Sequence, residues 1–261
     1  MNQTRARIPE GVFRQEYGGE FVDSAGAVFR NIRPCELAER ETDRTGRPLV
    51  HAGADYFVGI DFARAGSDYT VLTILERLAN GHLRLAWLDR WGREEDEKQV
   101  DRLGAIISRF SPRRVLAEEN NFGGVYVSWL RSKHHVEVEL FKTTGQSKGP
   151  LVLQGAALFE IGRLDIWPES DDLGSVLVGE LLSFERGATS SDHPTYSAPQ
   201  GLHDDCVMSL LLAIRAAEGE PGDEASCGFD GSAEDYLLRD SLAAPLTSLD
   251  RFGRRPMGIA A

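Results

Sequence analysis

The chain of 261 residues contains no apolar run near the roughly 18 to 20 residues that a membrane span requires. Its first ten residues carry Arg5 and Arg7 but lack the apolar stretch of a secretory leader. Cysteine is scarce: Cys35, Cys206 and Cys227 are odd in number, far apart and in no C-x-x-C spacing. That pattern argues against a disulfide framework and a structural zinc site, so all three read as reduced thiols. These absences predict a soluble cytoplasmic protein with no membrane partner. Basic charge is also short, with 29 Lys and Arg against 41 Asp and Glu and a net charge of -12. The sign is wrong for a protein that coats DNA by electrostatics alone. It does not exclude a nucleic-acid enzyme. Residues 216–261 hold nine of the acids and four of the bases, other acids can be gathered around a metal, and a local basic surface can coexist with both.

What is present is ordinary globular composition, 41% hydrophobic and 27% charged, for one large domain or two small ones. We expect residues 1–51 to form an N-terminal linker segment. Within it, Glu20 to Phe29 reads as strand, turn and strand about Gly26. Residues 52–218 read as the core domain, and residues 219–261, rich in Gly, Asp, Glu, Ala and Ser, as an acidic, flexible tail.

Within the core, Tyr56 to Asp61 is an apolar run ending in an acid, Tyr69 to Arg77 a β-branched strand, and His82 to Arg90 its return after the Asn80-Gly81 turn. Val100, Leu103, Ile106, Ile107 and Phe110 fall at helical spacing within Glu94 to Phe110. Arg114 to Glu118 is a short strand ending in acid. A helix over Val125 to Lys133, a strand over Val136 to Phe141, a helix over Pro150 to Gly162 and a strand over Leu164 to Trp167 follow. A helix over Gly174 to Ser183, a polar loop from Arg186 to Gly201 and an apolar helix from His203 to about Glu218 complete the order. No internal repeat is visible.

Three acidic features stand at informative places: Asp61 at the end of the first core strand, Glu118 at the end of the fourth, and Asp204-Asp205 at the start of the last helix. If those strands are parallel neighbours, their carboxyl ends lie side by side and the helix start delivers further carboxylates beside them. Carboxylates that close repel one another unless a cation neutralises them, which points to a hard divalent ion such as Mg²⁺ or Mn²⁺. Taken singly, each acid also has a structural reading, as a turn residue, a solvated loop edge or a helix cap. Their combination in this order is what favours a site. Asp68 and Glu119 read as supporting residues, with Glu119 replacing Glu118 should the strand register slip by one. His203 either hydrogen-bonds near the metal or simply pairs with the two acids.

The motifs Gly59-Ile-Asp61-Phe-Ala-Arg-Ala-Gly66-Ser-Asp68-Tyr-Thr70, Val115-Leu-Ala-Glu118-Glu-Asn-Asn-Phe-Gly123 and His203-Asp-Asp205-Cys-Val-Met-Ser-Leu-Leu resemble the nuclease domain of the large terminase subunit of tailed bacteriophages. Phe13 to Phe21, with Gly26 to Phe29, resembles the segment that joins motor to nuclease in that family. The resemblance runs from about Ile8 to Ala217. It implies an α/β, ribonuclease-H-like fold, a mixed central sheet with flanking helices. It also implies a metal-dependent endonuclease that cuts concatemeric double-stranded viral DNA in the cytoplasm of the bacterial host. Asp61, Glu118 and Asp204 or Asp205 match the family's acids. Two metal ions are expected, one activating water for in-line attack and the other stabilising the departing 3′ oxygen. The resemblance implies the portal, the small terminase subunit and an ATPase motor as partners. No G-x-x-x-x-G-K-[ST] loop occurs, so we expect no ATP hydrolysis by this chain, read as an isolated or separately encoded nuclease half.

Candidates to hold the DNA backbone are Arg64 beside the first acid, Arg131 and Lys133 after the second helix, and Lys142 and Lys148 around Thr143-Thr144-Gly145. The loop from Ala188 to Gly201 reads either as a hairpin over the site or as a connector. Competing readings are a resolvase-like nuclease of the same fold and a non-catalytic scaffold. A third is an actin-like or sugar-kinase-like ATPase, whose phosphate-binding hairpin is faintly similar to Gly59-Ile-Asp61 with Gly66 and Thr70.

Overall fold

Runs that are apolar at nearly every position, rather than at every second one, make strands covered on both faces. The computed structural model, which describes residues 27–63, 69–92, 94–119, 123–188 and 194–218, has two such strands at its centre: β1 (Asp55–Asp61) and β2 (Thr70–Arg77). β3 (Leu83–Trp91) returns after a turn in which Gly81 takes a φ of 77°. There follow α1 (Asp96–Phe110), β4 (Arg114–Glu118), α2 (Gly123–His134), β5 (Glu139–Phe141), α3 (Gly145–Glu160) and β6 (Leu164–Asp165). α4 (Asp172–Ser183), the hairpin of β7 (Glu185–Ala188) and β8 (Pro194–Ser197), and α5 (Asp205–Ala217) complete the described elements.

The six-stranded sheet has the order β5-β4-β1-β2-β3-β6. β1, β2 and β3 form an antiparallel meander, whereas β4 runs parallel to β1 and β5 parallel to β4. Alternation along each strand sorts the side chains into two cores. Tyr56, Val58, Ile60, Val115 and Ala117 pack with α1 and α2, while Phe57, Leu116 and Leu75 pack with α3, α4 and α5. α1 is tied to the sheet by Arg102, whose guanidinium donates two bonds, of 3.0 and 2.7 Å, to Asp89 of β3.

α5 is almost wholly buried and crosses the sheet on β1. Gly59 permits that approach, because a Cβ there would overlap the carbonyl oxygen of Ser209 and the amide nitrogen of Ala213. Ser209 Oγ lies 3.0 Å from the Gly59 carbonyl, 3.2 Å from that of Val71 and 2.9 Å from Thr73 Oγ1, so the contact is hydrogen-bonded as well as packed.

The sequence-derived elements recur with a few shifts. α3 begins at Gly145, five residues before the expected start, because Thr144 and Ser147 form a reciprocal capping box that nucleates the turn despite Pro150. Lys148 therefore sits in the first turn of a helix rather than in a loop. β5 is confined to Glu139–Phe141, shorter than the expected Val136 to Phe141. The polar stretch after α4 forms an antiparallel hairpin, with Arg186 opposite Tyr196. Cys35 and Cys206 are free, buried thiols. Among the described residues no helix is long and apolar enough to cross a membrane. The expected strand-turn-strand before Ala27, the tail from residue 219, Arg64, Asp68 and His193 lie outside the described residues.

Candidate active site

β1 and β4 are parallel neighbours in a register that sets Ile60 beside Ala117, so the next residue on each strand is an acid, Asp61 and Glu118. Period-two alternation gives Asp61 the face of Gly59 and Glu118 the face of Leu116, the side on which α5 packs. Both are buried, at 7% and 3% exposure. Glu119, one residue on, is exposed and spends its backbone N–H on the Phe141 carbonyl, so Glu118 is the acid this register turns inward.

α5 starts at the same end of the sheet. Asp61, Glu118, Asp204 and Asp205 line one cleft of about 430 Å³ together with Lys148, His203, Thr143, Thr144, Thr195 and Tyr196. Asp205 Oδ2 accepts the Tyr69 backbone N–H at 3.4 Å and lies 3.5 Å from His203 Nδ1. The His203 ring stands edge-on to Tyr69, with 5.3 Å between centroids. Asp204 Oδ2 is 3.3 Å from Lys148 Nζ.

The donors suit a hard cation: four carboxylates, two of them buried at strand ends, facing a cleft with room for water and a phosphate. Among the described residues no three His, Cys, Asp or Glu side chains are grouped tightly enough to hold an ion as they stand. The chemistry of the donor set therefore fits a metal, while its arrangement is open rather than closed.

The basic candidates divide. Lys148 lines the cleft. Lys142 is exposed just beyond β5, at the same end of the sheet, and does not line it. Arg131 and Lys133, in the last turn of α2, do not line the cleft. Both are engaged there, Arg131 with Glu137 at 2.8 Å and Lys133 with Glu97.

Several supporting residues carry no motif. Thr70 Oγ1 accepts the Ala63 backbone N–H at 3.0 Å and donates to Gln99 Oε1, which also accepts from Trp91 Nε1 at 3.2 Å. The chain leaving Asp61 is thereby fixed to α1. Phe62, which lines the cleft, packs on Tyr126 at 5.0 Å. The Tyr126 hydroxyl donates to Asp96 at 2.8 Å, and burial with that acid pushes the phenol up to about 12. Behind α5, Glu180 of α4 is 6% exposed. Burial pushes its carboxyl up to about 7, against the pull of Arg90 and of two amide donors. The signal available in the sequence was one acid among the apolar residues of Leu173 to Leu182.

No family model matches the chain. It is 29% identical over 222 residues to the terminase large subunit of Thermus phage G20c and, to the same extent, to that of Thermus virus P23-45. These alignments cover 84% of this chain and 44% of each relative, so the chain spans less than half the length of the curated relatives it matches. Among solved structures it is similar to the large terminase nuclease of thermophilic phage G20c, with a TM-score of 0.61 and 24% identity over 74% of this chain and all of that one. The same nuclease with bound magnesium matches with a TM-score of 0.61, again at 24% identity, over 74% of this chain and 98% of that one. The fold is thus the ribonuclease-H-like α/β fold of large terminase nucleases, and the resemblance read from the motifs extends to the tertiary structure.

Proposed function

We propose that this chain is a divalent-metal-dependent endonuclease that cuts concatemeric double-stranded viral DNA during genome packaging. Convergence of four carboxylates from β1, β4 and the start of α5 on one open cleft carries the reading. Similarity to terminase large subunits, and to a nuclease whose structures hold bound magnesium, cobalt or zinc, supports it. Asp61, Glu118, Asp204 and Asp205 are the residues that would hold two Mg²⁺ or Mn²⁺ ions, with Asp68 as a supporting residue; Glu119, exposed on the other face of the strand, is not one. When bound, the ions supply positive charge for a water attacking phosphorus in line and for the departing 3′ oxygen.

The chain's own residues position the substrate. Lys148, in the first turn of α3, presents an ammonium to a backbone phosphate beside helix amides, a favourable pairing at a helix N-terminus. His203, oriented by Asp205 and Tyr69, holds a proton donor or acceptor at the cleft wall. Arg64 and Lys142 are further candidates to hold the DNA backbone. Residues 52–218 form the nuclease domain in this reading, residues 1–51 an entry segment whose Phe29, Ile32 and Cys35 pack in the same core, and residues 219–261 a tail. Partners are double-stranded DNA, the portal, the small terminase subunit and an ATPase motor, in the cytoplasm of the host.

Cleavage of supercoiled plasmid tests the reading, with Mn²⁺, Mg²⁺, Ca²⁺ or EDTA, beside Asp61→Ala and an Asp204→Ala/Asp205→Ala double variant. Metal-dependent nicking and linearisation lost in both variants is the expected result. Activity unchanged in the variants, or no cleavage with any metal, would overturn it.

A further inference from the structure

An aspartate at a helix N-cap normally turns its carboxylate back onto the amides of the second and third helical residues. Asp171 does this at the start of α4, accepting from Leu173 N at 2.9 Å and Gly174 N at 3.0 Å. Asp204 holds the same position on α5 and makes no such bond. Its carboxylate instead faces Lys148 in the cleft. The two amides in question, those of Cys206 and Val207, are not orphaned. Both are bonded by Glu180 Oε2, at 2.7 and 3.3 Å, reaching across from α4.

The other Glu180 oxygen lies 3.8 Å from Arg90 Nη2. The Arg90 guanidinium covers the Tyr69 ring at 3.5 Å, and the Tyr69 amide is the donor to Asp205. Glu180 therefore stands at the root of two arms, one ending at each aspartate of the pair. An acid buried near another, here Asp205, is costly, so the position calls for an explanation.

We propose that Glu180 is a positioning residue that caps α5 in place of Asp204, leaving the Asp204 carboxylate to face the cleft. This rests on the reading of the cleft as a metal-dependent nuclease site. Without Glu180, the exposed amides of Cys206 and Val207 would recruit the Asp204 carboxylate, as Asp171 is recruited on α4, and withdraw it from the cleft.

The test combines a stability cycle with two functional readouts. Asp204→Ala, Glu180→Leu and the double variant are unfolded in urea with EDTA present. Asp204→Ala in the wild-type background should change the folding equilibrium constant by less than about twofold. In the Glu180→Leu background, where Asp204 has become the cap, the same substitution should cost about fivefold, the typical worth of an N-cap. Isothermal titration with Mn²⁺ should show affinity falling about tenfold in Glu180→Leu, and plasmid cleavage should lose kcat with KM held. Glu180→Gln, which keeps a carbonyl acceptor, should be intermediate in every readout. Should Glu180→Leu not fold, Glu180→Gln carries the cycle with a coupling of about twofold. Equal effects of Asp204→Ala in both backgrounds, or wild-type Mn²⁺ binding in folded Glu180→Leu, would overturn the proposal. The cycle needs neither metal nor cleavage. A wild-type chain that binds no Mn²⁺ and cuts nothing, yet shows the coupling, would refute the nuclease reading and leave the cap standing.

Discussion

Gly59→Ala places one methyl group where the sheet and α5 touch. The new Cβ would overlap the Ser209 oxygen and the Ala213 nitrogen and stand 3.0 Å from the Leu212 carbonyl carbon. All three are main-chain atoms, so no side-chain rotation relieves the overlap, and α5 must retreat on the order of 1 Å to restore ordinary contact. That retreat stretches the Ser209 Oγ contacts with Gly59, Val71 and Thr73 beyond hydrogen-bond length, all in a fully buried place. Overpacking costs about 1 to 3 kcal/mol and a buried polar group left unpaired a similar amount, giving about 2 to 6 kcal/mol together. Against a typical stability of about 5 to 15 kcal/mol this is a large share. Equilibrium urea unfolding in EDTA measures it. Gly179→Ala is the control: it sits in an exposed turn of α4, its Cβ meets nothing within 4 Å, and it should stabilise by about 0.5 to 1 kcal/mol. Because α5 carries Asp204 and Asp205, Gly59→Ala should also abolish plasmid cleavage where the variant is still folded. A Gly59→Ala protein within about 1 kcal/mol of wild type would refute the claim that α5 is seated on this glycine.

Tyr126 titrates at about 12 when folded against 10.0 when free, so the folded state keeps its proton longer. Its contribution is full below pH 10 and lost as pH rises from 10 to 12, up to about 2 to 3 kcal/mol, and Tyr126→Phe should flatten that alkaline decline in urea unfolding. Lys148→Ala should weaken binding of a DNA duplex and reduce its salt slope by about 1, read by fluorescence anisotropy in Ca²⁺. An Arg131→Ala/Lys133→Ala double variant should bind within about twofold of wild type, since neither side chain lines the cleft and both are held in surface ion pairs. Asp171→Ala removes the cap of α4 and should cost about 0.5 to 2 kcal/mol in thermal unfolding.

The order of strands and helices, and the acids that end β1 and β4, were legible because the pattern is local. An apolar run ends at Asp61 and another at Glu118, whereas the choice between Glu118 and Glu119 hung on strand register, which the pairing of β4 with β1 decided. The start of α3 was less legible, since Gly145, Gly149 and Pro150 are poor helix formers and its capping box closes with Ser147 instead of Glu or Gln.

What the residues determined by themselves was the set of elements and the chemical character of the cleft, because propensity, periodicity and charge act over a few positions. Which groups meet was decided by the packed chain. Parallel pairing of β1 with β4 puts Asp61 beside Glu118. The seating of α5 on Gly59 brings Asp204 and Asp205 to the strand ends. Glu180 lies 26 residues from the amide it caps, a partnership that depends on the angle between two helices, and no local rule encodes that angle.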